Sequence, residues 1–251
     1  MNMKKKIIEN KVFKNPSGIF SNFPLGKNNI KAIIFDVDGV LIDVSGSYRI
    51  AIKRTAEFFL GKILDMSDVE AVKNRGINDD IDAAELIIQE GGGEDFRKKV
   101  IIKKFQEFYL GRQFDGFVRT EKCLMKEATL KKLKKYKLGI VTGRPKLEAN
   151  FGLKRFKIYD YFNTIIVKED VKEGKPSPLG LLKAIKKLDV KNEEVLYVGD
   201  NLADLRAADN AGVSFVGVVG NAINKTRAKN LLKSEGCEII LNKVNDILNV
   251  I

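Results

Sequence analysis

The sequence predicts an α/β protein: a three-layer α/β/α core on a parallel sheet, with a helical domain inserted after the first strand. Three observations predict it. Short, continuously apolar runs recur along the chain and end in polar, glycine-bearing turns. Amphipathic helical stretches separate those runs. The interval 45–118 carries helical patterns and no strand-like run.

Residues 1–27 read as a peripheral N-terminal extension. Asn15-Pro16-Ser17-Gly18 and Pro24-Leu25-Gly26 are turn signals, and Phe20, Phe23 and Leu25 are available to pack the arm down. The core then comprises 28–44 and 119–251. Its first strand is Ala32-Ile33-Ile34-Phe35, running into Asp36. Similar runs follow at Leu138 to Val141, Thr164 to Val167, Val195 to Val198 and Val213 to Val219. A helix from Leu179 to Leu188 would bury Leu181, Leu182, Ile185 and Leu188. Within 45–118, Tyr48, Ile50, Ala51, Thr55, Phe58 and Phe59 form one stripe that Gly61 ends. Asp82 to Gln89 and Phe96 to Leu110 form two more, with Gly91-Gly92-Gly93 as a hinge between them.

Composition narrows the chemistry. The 251 residues are 44% hydrophobic and 31% charged, which describes a globular chain with a core. No apolar run approaches the roughly 18 residues of a membrane span. The start, Met1 to Ile8, has too short an apolar stretch for a secretory signal, so a cytoplasmic location is expected. Cys123 and Cys237 form no disulfide framework and no CxxC pair. There is no histidine, which removes His-assisted nucleophiles and every His-ligated metal. Carboxylates, hydroxyls and lysines remain, and with them hard cations bound through oxygen. The net charge of +12 fits either an anionic partner or lysines spread over solvated faces. The densest run, Lys131 to Lys137, lies on a helix with Leu130 and Leu133 inward, which favours the solvated reading.

In an open parallel sheet, ligands bind at the carboxyl ends of the strands. Those ends deliver Asp36-Val37-Asp38-Gly39, Thr142-Gly143-Arg144-Pro145, Glu169-Asp170 followed by Gly174-Lys175-Pro176, and Gly199-Asp200-Asn201-Leu202-Ala203-Asp204. The set suits phosphoryl transfer, which needs an in-line nucleophile, neutralised phosphate charge and a proton for the leaving oxygen. Asp36 is placed to attack. Asp36 with Asp200 supplies a hard oxygen site favouring Mg²⁺. Lys175 and the Thr142 hydroxyl can hold non-bridging phosphate oxygens. Asp38 can donate a proton to the leaving oxygen and later take one from water. If Leu202 to Ala211 is a helix, Asp200 and Asp204 stack on one face near its N-terminus. Taken singly, each element has a plainer reading: Asp-Val-Asp-Gly as a strand entering a turn, Gly-Arg-Pro as turn chemistry, Asp200 and Asp204 as caps. Together, in order, they make a strong signal.

These four segments resemble the motifs of the haloacid dehalogenase superfamily, over the chain from Lys31 nearly to its end. The helical insertion is similar to the C1-type cap of subfamily IA, the phosphoglycolate-phosphatase-like branch, on a Rossmann-like core. Asp43 to Arg49 resembles a clade for which histidinol-phosphate hydrolysis has been considered. The resemblance implies that Asp36 is the nucleophile and Asp38 the general acid/base. Thr142, Gly143 and Lys175 would bind the phosphoryl group. Asp36, the Asp38 carbonyl and Asp200 would bind Mg²⁺, with Asp204 supporting, and the cap would close over the substrate. Asp38 argues against dehalogenases and phosphonatases, and Gly199-Asp200 with Asp204 looks like the phosphatases more than the phosphomutases. Arg144 is a candidate for the substrate rim, with Arg49, Lys53, Asn74, Arg75 and Asn78 as candidates in the cap. The expected partner is a small phosphorylated substrate, with no nucleic acid and no membrane, for a monomer or homodimer. A phosphomutase, or a basic non-catalytic binding protein on this scaffold, are the alternatives.

Overall fold

The computed structural model describes residues 30–251, apart from Gly76, Asn78 and Ile223 and the side chain of Asn74. The N-terminal extension expected over 1–27, with Phe20, Phe23 and Leu25, lies outside the described residues. Strand β1 (Ala32–Phe35) is buried along its whole length. Ala32 and Ile34 share a core cluster with Leu181, Ala184, Leu205 and Ala208, while Ile33 and Phe35, on the opposite face, are equally inaccessible. A strand buried on both faces needs the unbroken apolar run that this one has.

The chain divides into two compact units, one formed by Leu41–Leu124 and the other by the segments before and after it. The inserted unit includes an antiparallel pair, β2 (Ile42–Asp43) with β3 (Lys122–Cys123), which at two residues each gives no periodic signal in sequence. Between them run α1 (Tyr48–Leu60), α2 (Met66–Asn74), α3 (Asp80–Glu90) and α4 (Lys98–Tyr109). Gly61 ends α1 in the left-handed conformation with its N–H on Glu57 O. Helix α2, absent from the sequence reading, starts at an Asp65–Asp68 capping box. The apolar stripe of α1 is rotated from the expected one. Ala51, Ile52, Thr55 and Ala56 are buried, whereas Phe58 is 56% exposed under the Lys104 ammonium. Gly91 to Gly93 form a hydrogen-bonded helix end rather than a loose hinge, Gly91 and Gly93 donating to Ile87 O and Ile88 O.

The second unit continues with α5 (Glu127–Leu133), β4 (Lys137–Val141), α6 (Lys146–Arg155), β5 (Thr164–Ile166) and α7 (Leu179–Leu188). Next come β6 (Val195–Gly199), α8 (Leu202–Ala211), β7 (Ser214–Val218), α9 (Lys225–Ser234) and β8 (Ile240–Leu241). Leu130 and Leu133 of α5 are buried and its lysines exposed. The six strands are all parallel in the order β5-β4-β1-β6-β7-β8. The chain leaves β1 to one side for β4 and returns to the other side for β6. That reversal opens a crevice at the carboxyl ends of β1, β4 and β6. No helix among the described residues is long and apolar enough to cross a membrane.

Candidate active site

Asp36 is the first residue beyond β1, and its N–H donates to Val198 O, so the backbone is still held to the sheet where the carboxylate begins. The residue is 4% exposed. Three residues on, Gly39 turns the chain at φ 73°, and a Cβ there would fall 2.0 Å from Asp200 Oδ2. The turn therefore needs glycine twice, for its backbone and for the carboxylate lying against it.

Asp200 follows β6 and sits before α8 rather than on it. Asn201 is the N-cap of that helix, its side chain accepting from the Asp204 N–H. The stacking of Asp200 and Asp204 on one helix face is thus replaced by a capping arrangement. Asp204 Oδ2 accepts the N–H groups of Asp200 and Asn201 at 3.1 and 3.4 Å. Its Oδ1 accepts the Tyr197 hydroxyl at 2.7 Å and the Lys175 ammonium at 2.6 Å. Asp204 is wholly buried, and four donors use its two oxygens. Lys175 also reaches Asp36 Oδ1 at 2.9 Å and the Tyr197 oxygen at 3.3 Å.

Tyr197 is the member that sequence reasoning missed. Its signal was a hydroxyl inside the otherwise apolar run of β6, in a fully buried position where a polar atom needs a partner.

Thr142 follows β4, its N–H on Ile166 O. Its Oγ1 accepts the Arg144 N–H at 3.1 Å, which leaves the hydroxyl proton to donate elsewhere. Gly143 between them is exposed. Arg144 is not an exposed rim residue: its side chain is inaccessible, and Nε and Nη2 both reach Asp38 Oδ1, at 2.7 and 2.6 Å. Glu169 and Asp170 stay out of the carboxylate cluster. Glu169 accepts the Lys146 N–H at the start of α6, and Asp170 pairs with Lys183.

The inserted unit holds the remaining candidates. Arg49 is the second residue of α1 and half-buried. Arg75 closes α2 and donates from Nη1 and Nη2 to the two carboxylate oxygens of Glu90, at 2.6 and 2.7 Å, so its fork is used inside the unit. Lys53 pairs with Glu57 one turn on. Asn78 and the Asn74 side chain lie outside the described residues.

Oxygens of Asp36, Asp200 and Asp204 lie within 4.8 Å of one another. Burial, opposed by Lys175 and reinforced by Asp204 and Asp38, pushes the Asp36 carboxyl up to about 7. Burial, then Asp204 and Asp36, pushes Asp200 well above the carboxylate range. Burial would lower Lys175, but the two aspartates outweigh it and hold the ammonium charged. A single lysine beside three carboxylates, Asp36 and Asp204 buried and Asp200 half-buried, leaves negative charge uncompensated, and a hard divalent cation fits that donor set. Because Asp204 is saturated by its donors, Asp36 and Asp200 are the carboxylates with capacity to hold the ion.

Residues 33–218 match the family model for haloacid dehalogenase-like hydrolases. The chain belongs to that family. A phosphorylated carbohydrates phosphatase of Thermotoga maritima is 30% identical over 226 residues, covering 88% of this chain and 98% of the relative. The pyrophosphatase PpaX of Anoxybacillus flavithermus is 27% identical over 223 residues, covering 89% and 97%. A crystal structure from Thermotoga maritima, provisionally assigned as a β-phosphoglucomutase, superposes with a TM-score of 0.69 at 28% identity, covering 88% and 98%.

Proposed function

We propose that this hydrolase is a Mg²⁺-dependent phosphatase acting on a small phosphate monoester through an aspartyl-phosphate on Asp36. The observation that carries the reading is the buried Asp36 carboxylate, tied to Lys175 at 2.9 Å, in a carboxylate cluster with charge to spare for a cation. Asp36 and Asp200, with the Asp38 carbonyl as the family resemblance implies, would hold Mg²⁺, which supplies the positive charge that lets a carboxylate approach a phosphate. Asp36 then bonds to phosphorus as the ester P–O bond breaks, and Asp38 gives its proton to the departing alkoxide oxygen. Lys175 and the Thr142 hydroxyl hold non-bridging oxygens, with Gly143 beside them. In the second half, water attacks the same phosphorus, Asp38 takes its proton, and Asp36 is released with inorganic phosphate. The helical unit Leu41–Leu124 is read as the substrate-selecting cap, with Arg49 as a candidate contact.

The relatives' names support phosphate-bearing small molecules as the substrate class. Release of phosphate should be screened on sugar phosphates, pyrophosphate, phosphoglycolate and histidinol phosphate, with and without Mg²⁺, for wild type and Asp36→Asn. Turnover that survives Asp36→Asn refutes the mechanism. A phosphomutase is the second reading, favoured by the assignment of the Thermotoga structure. It predicts an isomerised sugar phosphate with no net phosphate release.

A further inference from the structure

We propose that Arg144 is a positioning residue for Asp38, holding its carboxyl so that Oδ2 is the oxygen that gives and takes the proton. The inference rests on the reading of Asp38 as general acid/base and adds a residue to it. Both Nε and Nη2 converge on the same oxygen, Oδ1, at 2.7 and 2.6 Å. No hydrogen bond among the described residues uses Oδ2. In a carboxylic acid the carbonyl oxygen is the better acceptor and the hydroxyl the donor, so a guanidinium on Oδ1 leaves the proton to Oδ2. The arrangement serves both half-reactions. When Oδ2 loses its proton to the leaving oxygen, Oδ1 keeps its two N–H bonds, and Oδ2 receives the next proton from water with no rotation of the side chain.

The arginine is itself fixed. Its N–H donates to Thr142 Oγ1 at 3.1 Å, and its carbonyl accepts the Lys168 N–H at 3.0 Å. The loop between β4 and α6 therefore holds the guanidinium from its backbone outward. The side chain is wholly buried, while that of Asp38 is 34% exposed. A buried guanidinium is held by its carboxylate, and the carboxylate keeps one edge toward water.

Leaving-group dependence separates this role from a merely structural one. An alkoxide must be protonated to depart, whereas p-nitrophenolate leaves without a proton. Arg144→Met is expected to lower kcat/KM for an alkyl phosphate by about 100-fold and for p-nitrophenyl phosphate by less than about tenfold, since general acid catalysis is worth roughly 10²–10⁴. Arg144→Lys keeps a charge but not the converging pair of N–H groups. It is expected to show the same selectivity, and it carries the test if the methionine variant does not fold. Equal losses on both substrates, a raised KM at unchanged kcat, or full activity in Arg144→Lys would each overturn the proposal. Asp38→Asn is the control. If it is selective for the alkyl ester and the Arg144 variants are not, Arg144 alone loses its role. If Asp38→Asn is not selective, the acid/base reading of Asp38 falls.

Discussion

Asp204 shows how much of the proposed site consists of residues that hold others in place. Its two oxygens accept from Lys175, Tyr197 and the N–H groups of Asp200 and Asn201, all in a fully buried position. Replacing one partner of such a group strands the others. Asp204→Ala should therefore lower the unfolding free energy by about 3 kcal/mol, in the range for breaking a buried pair, as read by urea denaturation. A loss below about 1 kcal/mol would mean that the network is not coupled. Asp36 gives a pH prediction. Its carboxyl is raised to about 7 by burial first, so the metal-free fold favours the protonated form. That contribution is fully present below the ordinary carboxylate range and is lost as pH rises through about 7. A cation binds the ionised form. Mg²⁺ should accordingly raise Tm little near about pH 5 and more near about pH 8, in thermal melts with and without the ion. A Mg²⁺ effect that shrinks with rising pH would contradict this.

At the scale of elements, the turn after β1 is where sequence and geometry meet most tightly. Gly39 stands at φ 73° with Asp200 against it, so Gly39→Ala adds both a backbone penalty of about 1 kcal/mol and a methyl where the carboxylate lies. Mg²⁺ affinity, measured by titration calorimetry, should fall at least about tenfold, more than the backbone penalty accounts for. An unchanged affinity would show that Asp200 does not need that packing. Such a turn is legible in sequence because Asp-Val-Asp-Gly follows an apolar run. So were β1 and α8, where the apolar run and the helical period match the observed spans. Other elements were not. In α7, Leu182 is 39% exposed while Gly180 and Ala184 are buried, because the helix approaches β4 and β5 through small residues that apolar counting overlooks. Helix α2 carries a polar pattern, and its one local signal, the Asp65–Asp68 capping box, falls outside the sequence reading. The two-residue strands β2, β3 and β8 are set by pairing alone. In the site, the position of Arg144 beside Thr142 suggests the rim, and its buried pairing with Asp38, 106 residues away in sequence, leaves no local signal.

Across the whole molecule, one sheet arranges the chemistry. Asp36, Thr142 and Asp200 come from three strand ends that are adjacent in space, β4-β1-β6, though far apart in sequence. The absence of histidine leaves carboxylates as the natural players, and the fold gathers three of them beside a lysine. The stability of this core has a built-in reporter. Cys237 is buried, its N–H on Leu232 O, and burial pushes its thiol up to about 11. At neutral pH it should resist a thiol reagent in a Cys123→Ser background until denaturant unfolds the core, when labelling should follow the unfolding curve. Fast labelling of the native protein would show that the edge of the sheet opens on its own.

The central claim is the covalent intermediate on Asp36, and acid-quenched enzyme taken during turnover with Mg²⁺ tests it most directly by peptide mass spectrometry. A single base-labile phosphoryl group on the peptide containing Asp36, absent from Asp36→Asn, is the predicted result. A phosphoryl group on another residue, or turnover preserved in Asp36→Asn, would contradict it.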